Sequence, residues 1–460
     1  MSAGELYACI DVGTTRTKLS LHDAELRRKY FEYMTVPVGA DGLQDAEQLF
    51  HAVKHLFDRA KELGARSAGL ATYRASAVAW DRDGKPLTPV VTWTDRSVAL
   101  IHKRLPAYMK LLGIIPPLDL VISPYSPVLK FLRLRELNPN LGDESMQWNI
   151  DAYLAYRLTG KFVSDATNAC LTGLVHPKTI KEIGIVKSLF KLRMPIPTVV
   201  ENTEPVGVCG GLELNALIAD QQAASVAEWA VEGGVGKVTN STGTFVDVPT
   251  AGYARRGPLI PLVLLKHRNQ VWYGVEGFLP TTGAAVDRMV AMGLLGDYSD
   301  LVKTGDGVIF IPALSGLQGA ANAKGVIAGL TLGSDRGAIV AGLLKSIAFH
   351  VRLVLEQSGE RLQAIRADGG LSKSDALLKT ISAAMGLPVE RSPDLEATSR
   401  GLAILQLVAT DKASMEEFSK VRAKAEIFRD RPSPNLGEEY RKWKKLTGLL
   451  KSSKESFLAE

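Results

Sequence analysis

The chain opens on two apolar, β-prone runs, residues 7–10 and 19–21, that flank a small polar connector rich in Gly and Thr. A buried run, a tight turn and a returning run predict a β-hairpin. Residues 24–44 read as further strands of the same sheet, ending at GADG. Leu49, Phe50, Val53, Leu56, Phe57 and Ala60 then recur at helical spacing and predict an amphipathic helix over 45–63. Strands are expected at 67–72 and 76–81, DRDGK reads as a turn, and PVVTWTDRS as another strand ending in polar groups. Residues 98–148 read mainly as helices broken at prolines, and 149–160 as a helix stopped by Gly160. A polar loop at 164–168 offers Ser164, Asp165, Thr167 and Asn168, and 196–208 reads as a Pro-containing linker.

The pattern restarts at 237–248, KVTNSTGTFVDV, where a buried run again enters a small polar turn and leaves through apolar residues. The likeness to DVGTTRTKLSL is short, but it falls where a duplicated domain would place it. Strands at 259–266 and 270–273 follow, then helices at 283–292, 338–357, 374–385 and 396–409 with short strands between them. From about residue 412 the chain is helical, charged and partly broken by proline, the pattern of a solvated, peripheral tail. At 460 residues the chain exceeds what one core supports, so two large α/β domains are expected.

Composition changes this picture little. Hydrophobic residues at 46% and charged residues at 23% are ordinary for a globular chain. The net charge of +6 is mild, and Lys and Arg are scattered among acids, so nucleic-acid binding is not expected, while an anionic substrate such as a nucleotide is accommodated. Cys9, Cys170 and Cys209 are far apart and form no CxxC pair, which argues against a zinc site or disulfide framework and fits a reducing compartment. No apolar run reads as a membrane span and no leader pattern opens the chain, so a cytoplasmic protein without a membrane partner is expected.

The first turn holds Asp11, Gly13, Thr14, Thr15, Thr17 and Lys18. Such a turn offers backbone N–H groups and hydroxyls to phosphate oxygens, with Lys18 adding a point charge. Asp11, at the end of a strand, is placed to hold Mg²⁺ through its water shell. An ordinary hairpin with a polar turn would show the same GTT, but the strand-terminal Asp favours the ligand. Two domains that each open with such a turn imply a nucleotide pinned in a cleft, without any Walker lysine motif.

Several pieces carry a family resemblance: DVGTTRTK, WTDRS at 93–97, NIDAYLAYRLTG followed by DATNA, ADQQAA at 219–224, STGTF at 241–245, the run 325–349, and DGGLSKSDALLKTISAAMGLPVER at 368–391. Through them the chain resembles the FGGY carbohydrate kinases up to about residue 410, and through DQQAA and Arg74 it looks most like the glycerol kinase branch. The resemblance implies an α/β fold of two actin-like (ribonuclease H-like) ATPase domains with an interdomain cleft. It implies an N-terminal domain over 1–227, a C-terminal nucleotide-binding domain over 228–411, and a charged helical tail over 412–460. It implies an ATP- and Mg²⁺-dependent kinase acting on a hydroxyl of a small sugar or polyol, and leaves homo-oligomerisation open.

By the same resemblance Asp220 is the catalytic base, with Asp11 and Asp220 toward the metal. Thr14, Thr15 and Lys18 map to the first phosphate turn, Thr242 and Gly243 to the second, and Gly283, Gly370 and Ser374 to the adenosine side. Arg74, Trp93, Asp95, Gln221 and Phe245 map to the sugar-facing positions. A structural role competes at several of these: Asp220 as a helix cap, Trp93 as a core residue, Asp95 paired with Arg96. The chain departs from the glycerol kinases after Arg74, where their Glu is Ala75, so a pentulose, a ketohexose or a longer polyol stands beside glycerol as acceptor. The rival classes are an actin- or chaperone-type ATPase, which would hydrolyse ATP without an acceptor, and a non-catalytic sugar or nucleotide sensor.

Overall fold

In the computed structural model the opening hairpin is β1 (Leu6–Val12) and β2 (Arg16–His22), with β3 (Arg28–Thr35) on its outer edge. The structure describes residues 5–115, 118–123, 126–297, 301, 307–320, 322–392, 396–420 and 425–452. Helix α1 (Ala46–Glu62) begins at Asp45, whose carboxylate accepts the Gln48 N–H, and it buries the six apolar residues that its period singled out. Then come β4 (Ala65–Thr72), α2 (Val128–Leu137), α3 (Ile150–Thr159), β5 (Val163–Asp165) and α4 (Ala166–Leu171). β6 (Gly207–Cys209), β7 (Leu212–Ala219) and α5 (Asp220–Ala227) follow. The second half contains β8 (Val235–Asn240), β9 (Thr244–Thr250), β10 (Ile260–His267), β11 (Gln270–Leu279) and α6 (Gly283–Ala291). It continues with α7 (Arg336–Ser358), β12 (Ala364–Asp368), α8 (Asp375–Met385), β13 (Val389–Arg391) and α9 (Ala397–Ala409). The last described elements are β14 (Glu426–Phe428) and α10 (Leu436–Ser452).

The chain forms two compact units. The first is Met1–Ala227 with Leu262–Trp272 and Ala397–Val421; the second is Glu228–Pro261 with Tyr273–Glu396 and Arg422–Glu460. The sheet of the first unit runs β6-β7-β4-β1-β2-β3. Its centre, β7, β4 and β1, is parallel, and these strands are buried almost end to end, as strands covered on both faces must be. Ala8, Ile10 and Val12 of β1 join the core that α1 helps to build. On the alternate face Gln406 of α9 donates to the Ala8 carbonyl (2.9 Å) and accepts from the Ser67 hydroxyl (2.8 Å), so this buried amide is satisfied at both ends. Helices α9 and α5 cross in direct backbone contact: a Cβ on Gly401 would lie 1.9 Å from the Ala223 carbonyl oxygen.

The second unit repeats the plan. β8 pairs antiparallel with β9 and parallel with β12, as β1 does with β2 and β4. Within this unit the strands run β11-β9-β8-β12-β13-β14. One row of side chains crosses five strands as Glu276, Asp247, Lys237, Arg366 and Glu390. In this row Lys237 pairs with Asp247 (3.1 Å) and Arg366 with Glu390 (2.6 Å), and Arg366 also pairs with Glu228 (3.3 Å). Helix α7 is long and apolar enough to cross a membrane, which the sequence reading did not expect. Yet 83% of its apolar window is buried inside the protein, the setting of a core helix.

Four local readings change. Only Val90–Val91 of PVVTWTDRS is a strand; the chain then turns, because Thr92 bonds back to the Gly42 carbonyl (2.8 Å) and Asp95 accepts the Ser97 N–H (2.7 Å). Ser164 and Asp165 lie in a strand and Asp165 caps α4, so 164–168 is not a loop. The expected linker 196–208 contains Thr198–Val200, which pairs with β5, and the start of β6. The tail is no solvated appendage either. β14 extends the second sheet, and Leu436, Tyr440 and Trp443 of α10 enter its core, with Tyr440 and Trp443 centred 5.4 and 5.9 Å from the Phe349 ring. These residues share one stripe of a helix whose other faces carry the charges that dominated its composition.

Two stability predictions follow from this packing. Gly401→Ala should cost about 1–3 kcal/mol of stability in denaturant unfolding, although Ala is the better helix former, because the Ala223 carbonyl occupies the place its Cβ must take. Trp443→Ala should cost about 3–5 kcal/mol in the same measurement, where an appendage would register almost nothing.

Candidate active site

Register decides what meets at the end of the first sheet. Val12 lies opposite Thr72, and Thr72 opposite Ala219, so β1, β4 and β7 finish in one row. The turn after β1, the segment carrying Arg74, and Asp220 therefore leave the sheet at the same edge, the carboxyl ends of parallel strands where α/β sheets bind ligands.

The first turn is held by its backbone. Gly13 N–H donates to Arg16 O (3.0 Å), Val36 N–H to Thr15 O (3.0 Å) and Gln44 Nε2 to Thr14 O (3.0 Å). Tyr73 ties the neighbouring strand to it, its N–H donating to Val12 O (3.0 Å) and its hydroxyl to Gln44 Oε1 (2.8 Å). Full burial pushes the Tyr73 phenol well above its usual range, so it stays a donor. Asp11 lies almost buried on β1, with Lys18 Nζ 3.6 Å from Oδ2. Trp93 is 39% exposed, no core residue, and its Nε1 donates to Thr14 Oγ1 (2.8 Å).

Asp220 is the first residue of α5; its Oδ1 accepts the Gln221 N–H (2.7 Å) and lies 4.0 Å from Arg74 Nε. Thr398 of α9 donates to the Asp220 carbonyl (3.4 Å). Ala75, beside Arg74, has φ 52°, the left-handed region that side chains rarely enter. Asp95 stands apart. Its side chain is fully enclosed and pairs with Arg133 (3.5 Å), not with Arg96. Beneath it Lys130 donates to the Thr92 carbonyl (3.0 Å), and burial pulls its ammonium down to about 8 against the opposing pull of Asp95. Asp95 thus anchors the turn that presents Trp93.

The second unit assembles a like turn. Ser241 N–H donates to Gly243 O (2.8 Å), while Gly283 N–H donates to Ser241 O (3.1 Å) and Ala284 N–H to Thr242 O (3.2 Å). A Cβ on Gly283 would meet Ser241 O at 2.3 Å, and one on Gly243 would meet Leu279 O at 2.8 Å, so close packing demands both glycines. Thr242 is exposed beside them. Gly370 opens a short 3₁₀ turn, and Ser374 caps α8 by accepting the Leu377 N–H (3.2 Å). The glycine that packing requires there is Gly369, with φ 84° and a Cβ site 2.4 Å from Asn240 O. Phe245 stacks on Phe278, ring centres 5.9 Å apart.

Residues 6–210 match the N-terminal domain model of the FGGY family of carbohydrate kinases, and residues 255–410 match its C-terminal domain model. The chain is 30% identical to a protein named an uncharacterized sugar kinase from Archaeoglobus fulgidus, over 98% of this chain and 100% of that one. It is 30% identical to a glycerol kinase from Thermus brockianus over 82% of each chain. Among solved structures it superposes on Plasmodium falciparum glycerol kinase with ADP (TM-score 0.87, 22% identity, 98% of this chain and 99% of that one). It also superposes on a ligand-bound xylulose kinase from Lactobacillus acidophilus (TM-score 0.83, 19% identity, 98% and 99% coverage). At those identities the structural likenesses speak for the fold alone, two α/β domains. The chain belongs to the FGGY family of carbohydrate kinases, and it is a phosphotransferase with an alcohol group as acceptor.

Proposed function

We propose that this protein transfers the terminal phosphoryl group of ATP to a hydroxyl of a small sugar or polyol, with Asp220 as general base. The observation that carries the reading is the shared row Val12–Thr72–Ala219, which brings the first turn, Arg74 and Asp220 to one sheet edge. Asp220 takes the proton of the acceptor hydroxyl as that oxygen closes on phosphorus. Its carboxylate is partly exposed and so open to an acceptor, and the N–H of Gln221 keeps it aimed. Arg74 presents a fixed fork of donors to neighbouring hydroxyls, and the Trp93 ring, held by Thr14, offers an apolar face to C–H groups. Thr14, Thr15 and Lys18 meet phosphate oxygens on this unit; Thr242, Gly243, Gly283, Gly370 and Ser374 serve the nucleotide on the other.

The donor set fits a divalent cation of the magnesium type. Among the described residues there is no group of three or more His, Cys, Asp or Glu side chains placed to cage a metal. Mg²⁺ needs no cage, being held by one or two carboxylates with water and phosphate oxygens. Asp11 and Asp220 would supply those carboxylates, and the bound ion would offset phosphate charge.

The acceptor is a sugar or polyol longer than glycerol. Ala75 offers no carboxylate to a polyol hydroxyl, which turns the site away from the smallest polyol and toward a larger acceptor. ADP release measured against glycerol, pentuloses, ketohexoses and longer polyols should be acceptor-dependent and fastest with one of the larger compounds. Acceptor-independent release would favour the actin-type reading, and best turnover on glycerol would overturn the size argument. Asp220→Asn should lower kcat by about 10²–10⁴ while ATP still binds. Turnover by that variant at the unmutated rate would remove Asp220 as the base.

A further inference from the structure

Behind the end of β7 lies a buried polar network that the reaction does not touch. Asp151 of α3 and Asp165 at the end of β5 are both fully buried. Asp151 Oδ2 accepts the Ser164 hydroxyl (2.6 Å) and the Asp165 N–H (3.2 Å). Asp165 Oδ1 accepts the Thr167 N–H (2.8 Å), the Asn168 N–H (3.1 Å), the Thr167 hydroxyl (2.5 Å) and Asn202 Nδ2 (3.2 Å). Its Oδ2 accepts Asn168 Nδ2 (2.7 Å). Burial and the charge of Asp165 hold the Asp151 carboxyl well above the usual carboxylate range, and burial raises Asp165 too, against the pull of its hydrogen-bond donors.

Three of these partners make second contacts toward the ends of β4 and β7. Thr167 Oγ1 accepts the Ala219 N–H (3.0 Å), the residue before Asp220. Asn202 Nδ2 also donates to Leu217 O (2.8 Å), and Asn168 Nδ2 also reaches Thr72 Oγ1 (3.2 Å), two residues before Arg74. Capping α4 requires only the two backbone bonds. The side-chain bonds serve another purpose. Because the Thr167 hydroxyl spends its proton on Asp165, its lone pairs are left to face Ala219 N–H.

We propose that Asp165 is a positioning residue for phosphoryl transfer, fixing through Thr167 and Asn168 the strand ends from which Asp220 and Arg74 project. The inference rests on Asp220 being the base. A small misplacement of such a group costs rate out of proportion to any loss of binding.

Thr167→Val removes the hydroxyl link but keeps both backbone bonds that cap α4. It should lower kcat roughly 10- to 100-fold with KM for ATP unchanged, and Thr167→Ser should restore the rate. Ser164→Ala, which removes only a bond to Asp151, serves as the reference for lost stability without lost alignment. Thr167→Val at the unmutated kcat, or a rate loss that Thr167→Ser fails to recover, would overturn the inference whether or not Asp165→Asn folds. The two readings fail separately. Full activity in Asp220→Asn sinks the base; an inactive Asp220→Asn beside an unimpaired Thr167→Val sinks only the positioning role.

Discussion

The constraint on which the rest depends is the parallel register of β1, β4 and β7. Each strand is short and buried on both faces, so its pairing is fixed by side chains that cannot be exposed. A slip of one residue would swap Ile10 and Leu70, packed with α1, for Cys9 and Gly69, which face Gln406 of α9. The same slip would part Val12 from Thr72, and the turn, Arg74 and Asp220 would no longer share an edge. Helix α9 reinforces the register from the other face, with Gln406 spanning Ala8 and Ser67, and Gly401 letting α5 approach. Core packing and site geometry are therefore the same fact seen from two ends of the strands.

What the sequence made legible was local. The hairpin from Leu6 to His22, the stripe of α1 and the second hairpin at β8 and β9 are set by neighbours within a turn or two. Family motifs pointed at Asp11, Arg74 and Asp220, and the structure brings the last two within 4.0 Å. Partners distant in the chain left no such mark. Nothing near Gly401 announces Ala223, and Gly369 is required because Asn240 lies against it, not because of its own neighbours. Tyr73, Gln44 and Lys130 acquire their roles from hydrogen bonds to loops whose conformation the sequence does not display. Asp165 stood in plain view among polar residues, but its meaning lies in Ala219, which the fold alone brings to Thr167.

The two halves solve one problem with different interiors. Both place a Gly-containing turn after the first strand and a parallel neighbour beside it. The first unit lines its strand ends with neutral hydroxyls and amides around the buried Asp165 carboxyl. The second runs a row of five charged side chains across its sheet, with Lys237 and Arg366 each answered by an acid. Such pairs add little net stability over an apolar row, yet removing one member strands the other in a dry interior. The charged row therefore tolerates replacement as a set far better than one residue at a time.

Neither unit is a continuous stretch of chain. The first is completed by α9, and the second by β14 and α10. During synthesis the early strands thus wait for pieces that leave the ribosome hundreds of residues later. Until then α7 lacks its Tyr440 and Trp443 cover, and β13 ends the second sheet as a bare edge. A chain truncated near residue 410 would lack β14 and α10, and so would present the apolar side of α7 and the open β13 edge, the kinds of surface through which partly folded chains aggregate.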